Sequence, residues 1–416
     1  MPIILPSGLP AATELEAEGY DVLRSETEVG SERPIRIGLM NLMPTKLATE
    51  AQFARLLSES TSAVELELIR PATHNVRQGG SDHLDRFYRT WGEVGHTLDA
   101  FIVTGAPVET LAFEDVDYWA ELASIIDHAR QDLTASLYVC WSAQAALYRL
   151  HGIQKQILPK KAFGVFEQTV LERRSSLVRG LGESFPVPVS RHTASDRASI
   201  EAHQNLVILA SSSATGPCVI EDGHNRATFV FDHLEYGAGT LRKEYERDKA
   251  ARPGIALPTN YFPEDDDAAE PLNTWRPFAS LFYRNWVELV AARVAQRDDL
   301  SLRRLLFGLA VDEASPPRLL LFATASPGLL AEVIQRLADL GLTANAARIK
   351  RQMQRYAVVE VALAVPDTPK AEAAARALLG VPGSKSAYYS LSNASGGLLT
   401  ANPAGSANVL RLGEAA

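Results

Sequence analysis

Ser136-Leu-Tyr-Val-Cys140-Trp-Ser-Ala-Gln144 is the stretch whose reading decides the fold. Residues 137–139 form an apolar run that reads as a short buried strand ending at Cys140. Residues 142–150 (SAQAALYRL), rich in Ala and Leu and closed by Gly152, read as a helix. A cysteine at that turn is held up out of the sheet, its sulfur at the positive end of the helix, a position that favours thiolate over thiol. Strand, nucleophile and helix in this order form a nucleophile elbow, which closes only around small neighbours. Ser142, Ala143 and Ala145 supply them. The same stretch also suits a structural cysteine, since free Cys is among the most buried residue types.

Working outward, residues 36–42 read as a buried strand, with Pro44 placed for the first turn of a helix. Residues 49–58 continue as an amphipathic helix with Phe53, Leu56 and Leu57 inward. Val64-Glu-Leu66-Glu-Leu68 alternates as a strand with one wet face. Residues 100–104 are a further apolar strand running into Gly105-Ala106-Pro107, a loop where backbone can approach a ligand closely. A helix over 116–130 precedes the Cys140 strand, and residues 1–34 read as polar and irregular. Strands and helices alternating at this spacing predict an α/β fold with a mostly parallel sheet. Sites in such folds lie at the carboxyl ends of strands. Thr104 to Glu109, Cys140 and the end of a later strand over 227–232 are therefore expected to converge. That strand runs into Asp232-His233-Leu234-Glu235-Tyr236. His233 and Glu235, two apart, share one side of an extended chain. With a lone cysteine nearby they suit a Cys–His–Glu triad, in which the histidine handles the thiol proton and the carboxylate fixes its tautomer.

Composition bounds the rest. A chain of 416 residues suits two domains, and 46% apolar with 22% charged residues is ordinary for a soluble globular protein. No apolar run approaches the roughly 20 residues that span a bilayer. The N-terminal MPIILPSGLPAA lacks the basic and apolar regions of a secretory signal. Two cysteines, Cys140 and Cys218, exclude a disulfide scaffold and fit a reducing cytoplasm. Neither sits in a metal-binding spacing, and among the histidines only His192, in Ser190-Arg191-His192-Thr193, otherwise stands out. A net charge of −9 argues against nucleic acid as a general partner, so an anionic substrate would need a local basic patch.

The rhythm changes after a terminal helix over 278–294. Residues 298–317 read as a linker between a first domain, 1–297, and a second, 318–392. There the predicted order is a strand over 318–322, a helix over 330–340, strands over 343–350 and 357–365, a helix over 369–379 and a strand over 387–391. That is βαββαβ, the ferredoxin-like order. Residues 393–416, rich in Ser, Gly and Ala, read as a flexible tail.

The first three hundred or so residues resemble the homoserine O-acyltransferase family. The likeness is carried by IGLMNLMPTKLATEAQFARLLS, HLDRFY, FIVTGAPVETLAFEDVDYW, CWSAQAALY, FGVFE, SRHT, HLEY, NYFPEDD and TWRPF. It implies a class I glutamine amidotransferase-like fold of the flavodoxin-like kind, and an enzyme of methionine biosynthesis that uses acyl-CoA and L-homoserine. It implies Cys140 as acyl acceptor and His233 and Glu235 as the H-x-E pair. Lys161, Ser190 and Arg247 fall on the family's substrate-contacting positions, and Lys46 on a lysine near its active site. No cofactor or metal is implied beyond acetyl-CoA as substrate. Glu109 occupies the position where Gly is associated with succinyl transfer and Glu with acetyl transfer. A carboxylate there fills space and repels the free carboxylate of a succinyl donor.

The chain also departs from the family pattern. Asp232-His233-Leu234-Glu235 stands where Gly-His-Pro-Glu is usual, and Ser142 replaces a Gly or Ala; serine as acceptor therefore stays open beside homoserine, as does succinyl transfer. The second domain resembles an ACT domain, which implies an amino acid effector at a homodimer interface, with a simple packing module as the alternative. Two rivals complete the field: a glutaminase-like hydrolase built on the same triad, and an amino acid sensor with an inactive front domain.

Overall fold

The computed structural model describes residues 2–24, 33–73, 81–251, 254–310, 318–324, 326–342, 344–353, 356–363, 368–390, 396–401 and 407–412. It divides into two compact units, Met1–Ala295 and Gln296–Ala416.

The first unit is built on a twelve-stranded sheet, one strand of which, Tyr88–Arg89, pairs with Val64–Ile69 off the main path. One half is parallel, in the order Val22–Arg24, Ile3–Leu5, Val64–Ile69, Ile35–Met40, Ala100–Val103, Ala135–Val139 and Ala227–Val230. The other half is antiparallel, in the order Gly216–Asp222, Leu206–Ser212, Lys155–Val170 and Ser184–Ser195. Alternation along the Ala135–Val139 strand explains the layering, because successive side chains leave a strand on opposite faces. Leu137 and Val139 join one core with Phe53, Leu57, Phe282 and Trp286, from the helices Lys46–Leu57 and Arg276–Ala310. Tyr138 joins the other with Leu122, Ile126, Ala143 and Leu147, from Trp119–Asp132 and Trp141–His151. A strand buried on both faces cannot be polar, which is why this one reads as a continuous apolar run.

Two expectations for this unit are corrected. Residues 1–34 are not irregular throughout: Ile3–Leu5 and Val22–Arg24 are strands, and Pro10–Ala17 is a helix. Strands of three residues are too short to show periodicity; Ile3–Leu5 is specified by pairing on both sides, with Val22–Arg24 and Val64–Ile69. The strand before His233 stops at Val230, short of Asp232, so the H-x-E segment is a turn and not an extension.

The second unit has the expected βαββαβ sequence of elements: Arg318–Thr324, Leu329–Asp339, Ala344–Met353, Tyr356–Leu363, Thr368–Leu378 and Ser384–Ser390. Its sheet is antiparallel, with Arg318–Thr324 between Tyr356–Leu363 and Ser384–Ser390. Val333, Leu337, Ala374 and Leu378 from the two helices cover Leu319, Leu321, Val359 and Tyr389. Two readings at its margins differ from the structure. The helix Arg276–Ala310 runs through residues taken as linker, where no proline interrupts 298–310. Within the segment read as flexible tail, Gly396–Ala401 and Ala407–Leu412 extend the sheet from Ser384–Ser390, their backbone groups paired along the ladder. Residues 311–317 and 413–416, parts of the linker and tail readings, lie outside the described residues. Among the described residues no helix is long and apolar enough to cross a membrane, and no group of three His, Cys, Asp or Glu could hold a metal ion.

Candidate active site

Three neighbouring parallel strands, Ala100–Val103, Ala135–Val139 and Ala227–Val230, deliver the site at their carboxyl ends. Cys140 follows the middle one at φ 55° and ψ −116°, in a region that non-glycine residues rarely adopt. Backbone strain of this kind costs about 1–3 kcal/mol and persists only where its surroundings enforce it. Here the Cys140 N–H is held by the Val230 carbonyl at 2.7 Å, and its own carbonyl accepts from Ala143 N–H at 3.1 Å. Ser142 adds a staple: its hydroxyl accepts from Val139 N–H at 2.9 Å and lies 2.7 Å from the Val103 carbonyl and 2.9 Å from that of Val139. The serine that departs from the family pattern therefore fastens the elbow to two strands. The helix closes at Gly152, left-handed at φ 70°, with Arg149 and His151 in its last turn.

Gly105 shows how closely the strand ends approach. A Cβ there would lie 3.2 Å from Cys140 Cβ, 3.6 Å from His233 Cε1 and 3.7 Å from Met43 Sδ. Only glycine leaves that space to the reacting groups. His233, buried, lies beside Cys140 across Gly105 and pairs at Nδ1 with Glu235 Oε1, 2.6 Å away. Its ring stacks on Tyr236, centroids 4.1 Å apart. Burial alone would depress the imidazolium, but Cys140 and Glu235 outweigh it and hold His233 well above the ordinary histidine range. The three residues thus form one compact cluster, with the histidine between thiol and carboxylate.

Lys161, Ser190 and Arg247 are gathered by two carboxylates of the helix Thr240–Ala251. Lys161 Nζ donates to Asp248 Oδ2 at 2.8 Å, lies 4.0 Å from Glu244 and sits over the Phe163 ring. The Ser190 hydroxyl donates to Glu244 Oε2, and Tyr236 donates to the other oxygen at 2.7 Å. Tyr236 thereby joins this wall to His233. Arg247 is largely exposed and donates to Asp248 Oδ1 through Nε and Nη2, at 3.0 and 2.8 Å. Glu244, Asp248 and Tyr236 were not singled out from the sequence. The signal was present in the four-residue spacing of Glu244 and Asp248, which puts both on one helix face.

Glu109 is half-buried: its Oε2 accepts the His192 backbone N–H at 2.8 Å. Lys155 Nζ donates to the Glu109 and Leu111 carbonyls at 2.6 and 2.5 Å, fixing the loop. So His192 contributes its backbone to the site. Lys46 stands at the start of its helix and donates to the Asn41 carbonyl at 2.6 Å. Burial draws its ammonium down to about 8, against the pull of Glu50. Two amides of the 39–43 loop are already committed. Leu42 N–H is taken by Thr104 Oγ1 at 2.8 Å and Met43 N–H by Asn41 Oδ1 at 3.1 Å. Cys218, the other cysteine, is fully buried in the antiparallel half, where burial and Asp232 push its thiol well up.

A family model described as homoserine O-succinyltransferase matches residues 2–296. Homoserine O-acetyltransferases of Brucella canis and Brucella suis are 44% identical over 289 residues, which is 69% of this chain and 94% of theirs. Among solved structures, a glutamine amidotransferase from Thermotoga maritima aligns at 11% identity and TM-score 0.44, over 62% of this chain and 99% of that one. One from Methylobacillus flagellatus aligns at 14% identity and TM-score 0.41, over 62% and 96%.

Proposed function

This chain belongs to the homoserine O-acyltransferase family, and we propose that it transfers the acetyl group of acetyl-CoA to the hydroxyl of L-homoserine, in methionine biosynthesis, through a thioester on Cys140. The observation that carries the reading is the strained, elbow-mounted Cys140 beside a His233 that Glu235 holds at 2.6 Å.

In the first half-reaction the Cys140 thiolate attacks the thioester carbonyl of acetyl-CoA. The tetrahedral oxyanion collects the Trp141 N–H, a first-turn donor with no intrahelical partner. Collapse expels the CoA thiolate, which takes the proton of the His233 imidazolium and leaves as thiol. In the second, neutral His233 removes the hydroxyl proton of homoserine as its oxygen attacks the acetyl-cysteine; collapse returns the Cys140 thiolate and O-acetylhomoserine. Arg247 exchanges Asp248 for the amino acid carboxylate, which its planar fork suits, and Lys161 and Ser190 line the same wall. Lys46 stands behind the loop that brings Met43 to the site. The route calls on no cofactor. The supply of acyl-CoA and the two free cysteines favour the cytoplasm.

Acetyl over succinyl rests on Glu109, whose carboxylate is anchored by His192 and cannot swing away without losing that bond. The second unit lies beyond the family match, and we assign it to regulation by an amino acid bound between two copies of the chain. The test of the central reading is thiol release with acetyl-CoA or succinyl-CoA offered against homoserine or serine. Acetyl-CoA with homoserine is the expected winning pair. Succinyl-CoA winning would discard the role of Glu109, serine winning would reassign the acceptor, and ammonia release from glutamine without acyl-CoA would replace transfer by hydrolysis.

A further inference from the structure

We propose that the buried pair Arg191–Asp232 is a positioning device for catalysis, locking the loop that carries His233 to the strand that carries Ser190 and the anchor of Glu109. The inference rests on the acyl-transfer reading above. Both side chains are all but inaccessible, at 2% and 0% exposure, and Arg191 Nε meets Asp232 Oδ1 at 3.2 Å. The remaining guanidinium nitrogens are committed too: Nη1 donates to the Thr193 carbonyl at 3.1 Å and Nη2 to that of Thr215. Gln168 Nε2 reaches the second Asp232 oxygen at 3.3 Å.

The position of this pair is what gives it a role. Asp232 directly precedes His233, whose N–H is itself held by the Pro188 carbonyl at 2.8 Å, on the same strand as Arg191. Arg191 is flanked by Ser190, bound to Glu244, and by His192, whose amide holds Glu109. One ion pair therefore references the base, the substrate wall and the acyl-selecting carboxylate to each other. Stability alone does not account for it, because a well-packed apolar pair of similar volume is often as stable as a buried ion pair. The charged and titratable groups facing Asp232 are Arg191, Cys218 and His233. With the pair intact, the guanidinium charge is offset before it acts on the imidazolium.

Two variants of the full chain test this. Asp232→Asn keeps the shape and leaves Arg191 uncompensated. It is expected to lower kcat on the order of 10- to 100-fold with little change in KM, the cost of a small misplacement of the base. It is also expected to move the alkaline limb of Cys140 alkylation by iodoacetate, an anion that the imidazolium attracts, to lower pH, since a bare cation disfavours the imidazolium. The double variant Arg191→Met with Asp232→Leu removes both charges; it is expected to melt near the parent temperature and still turn over slowly. Parental kcat in that folded double variant, or an unmoved limb with parental kcat in Asp232→Asn, would overturn the proposal. Failure of both variants to fold would also overturn it, leaving the pair a structural one. If the parent transfers no acyl group while Asp232→Asn still shifts the alkylation limb, the functional reading falls and the positioning of His233 stands.

Discussion

His233 Nδ1 and Glu235 Oε1 lie 2.6 Å apart with only Leu234 between them, and they meet because the chain turns there. Tyr236 N–H bonds back to the His233 carbonyl at 3.3 Å, and Leu234, 1% exposed, points into the core with Val139 and Val230. The buried leucine drives the turn inward, and the turn brings histidine and carboxylate together on its other side. Since Nδ1 is committed to Glu235, Nε2 is the nitrogen left for Cys140 and for the acceptor hydroxyl.

That geometry sets the pH behaviour. Cys140 and Glu235 hold the His233 imidazolium well above its ordinary range in spite of burial. The protonated form that donates to the leaving CoA therefore persists above pH 6.5, and activity falls only as pH rises through the raised value. Glu235→Gln removes one of the two supporting charges, so the alkaline limb of the thiol-release burst moves toward neutrality. The rate should drop roughly 100-fold, in the range for general acid–base groups. A pH–rate profile of the burst reads both; an unmoved limb would assign it to another group.

Glu109→Gly addresses donor choice. It removes a carboxylate held in place by His192 N–H and opens the volume it fills. The ratio of kcat/KM for succinyl-CoA over acetyl-CoA should rise roughly 100-fold, equivalent to about 2.7 kcal/mol of relieved repulsion. Competition between the two donors in one mixture measures that ratio directly. An unchanged ratio would place donor choice elsewhere in the pocket.

The parallel half of the sheet was legible because burial on both faces leaves apolar runs, as at Ala100–Val103 and Ala135–Val139. Cys140 was legible because an elbow needs small residues on one side and a helix start on the other. The strands Lys155–Val170, Ser184–Ser195, Leu206–Ser212 and Gly216–Asp222 were not, since they mix exposed and buried positions and are specified by pairing with one another. The same limit hid the contacts of Glu109 and of Asp232. Their partners, His192 and Arg191, lie on one of those strands, 83 and 41 residues away in sequence. No local pattern encodes such a meeting.

Ser142→Ala probes the elbow's staple. The Ser142 hydroxyl accepts from Val139 N–H and lies within bonding reach of the Val103 and Val139 carbonyls, all buried. Alanine would take that acceptor from the Val139 amide, at a cost of about 1–3 kcal/mol. Urea unfolding should show that loss as a lower midpoint with an unchanged slope. Activity should fall less than stability, because Ser142 touches neither substrate nor His233 in this arrangement.

A chain stopped after Ala310, which leaves the helix Arg276–Ala310 whole, separates chemistry from regulation. Every residue of the proposed mechanism lies within Met1–Ala295, so acyl transfer should survive. Inhibition by an amino acid, if the full chain displays it, should disappear. Loss of transfer with retained fold would show that the second unit takes part in the reaction itself.

The two cysteines give the sharpest contrast. Both are buried, but Cys140 stands at a strained turn beside His233, whereas Cys218 lies in a strand between Leu206–Ser212 and Ala227–Val230 with its thiol pushed well up. A nucleophile must reach the thiolate state at working pH, and at Cys218 burial and Asp232 oppose it more than the nearby Arg191 helps. Cys140→Ser should therefore abolish the acetyl-enzyme adduct, detected by intact mass after mixing with acetyl-CoA. Cys218→Ala should keep the adduct and lose only stability, through the small cavity left in the core. Adduct formation that survives Cys140→Ser and vanishes with Cys218→Ala would reverse the assignment of the nucleophile.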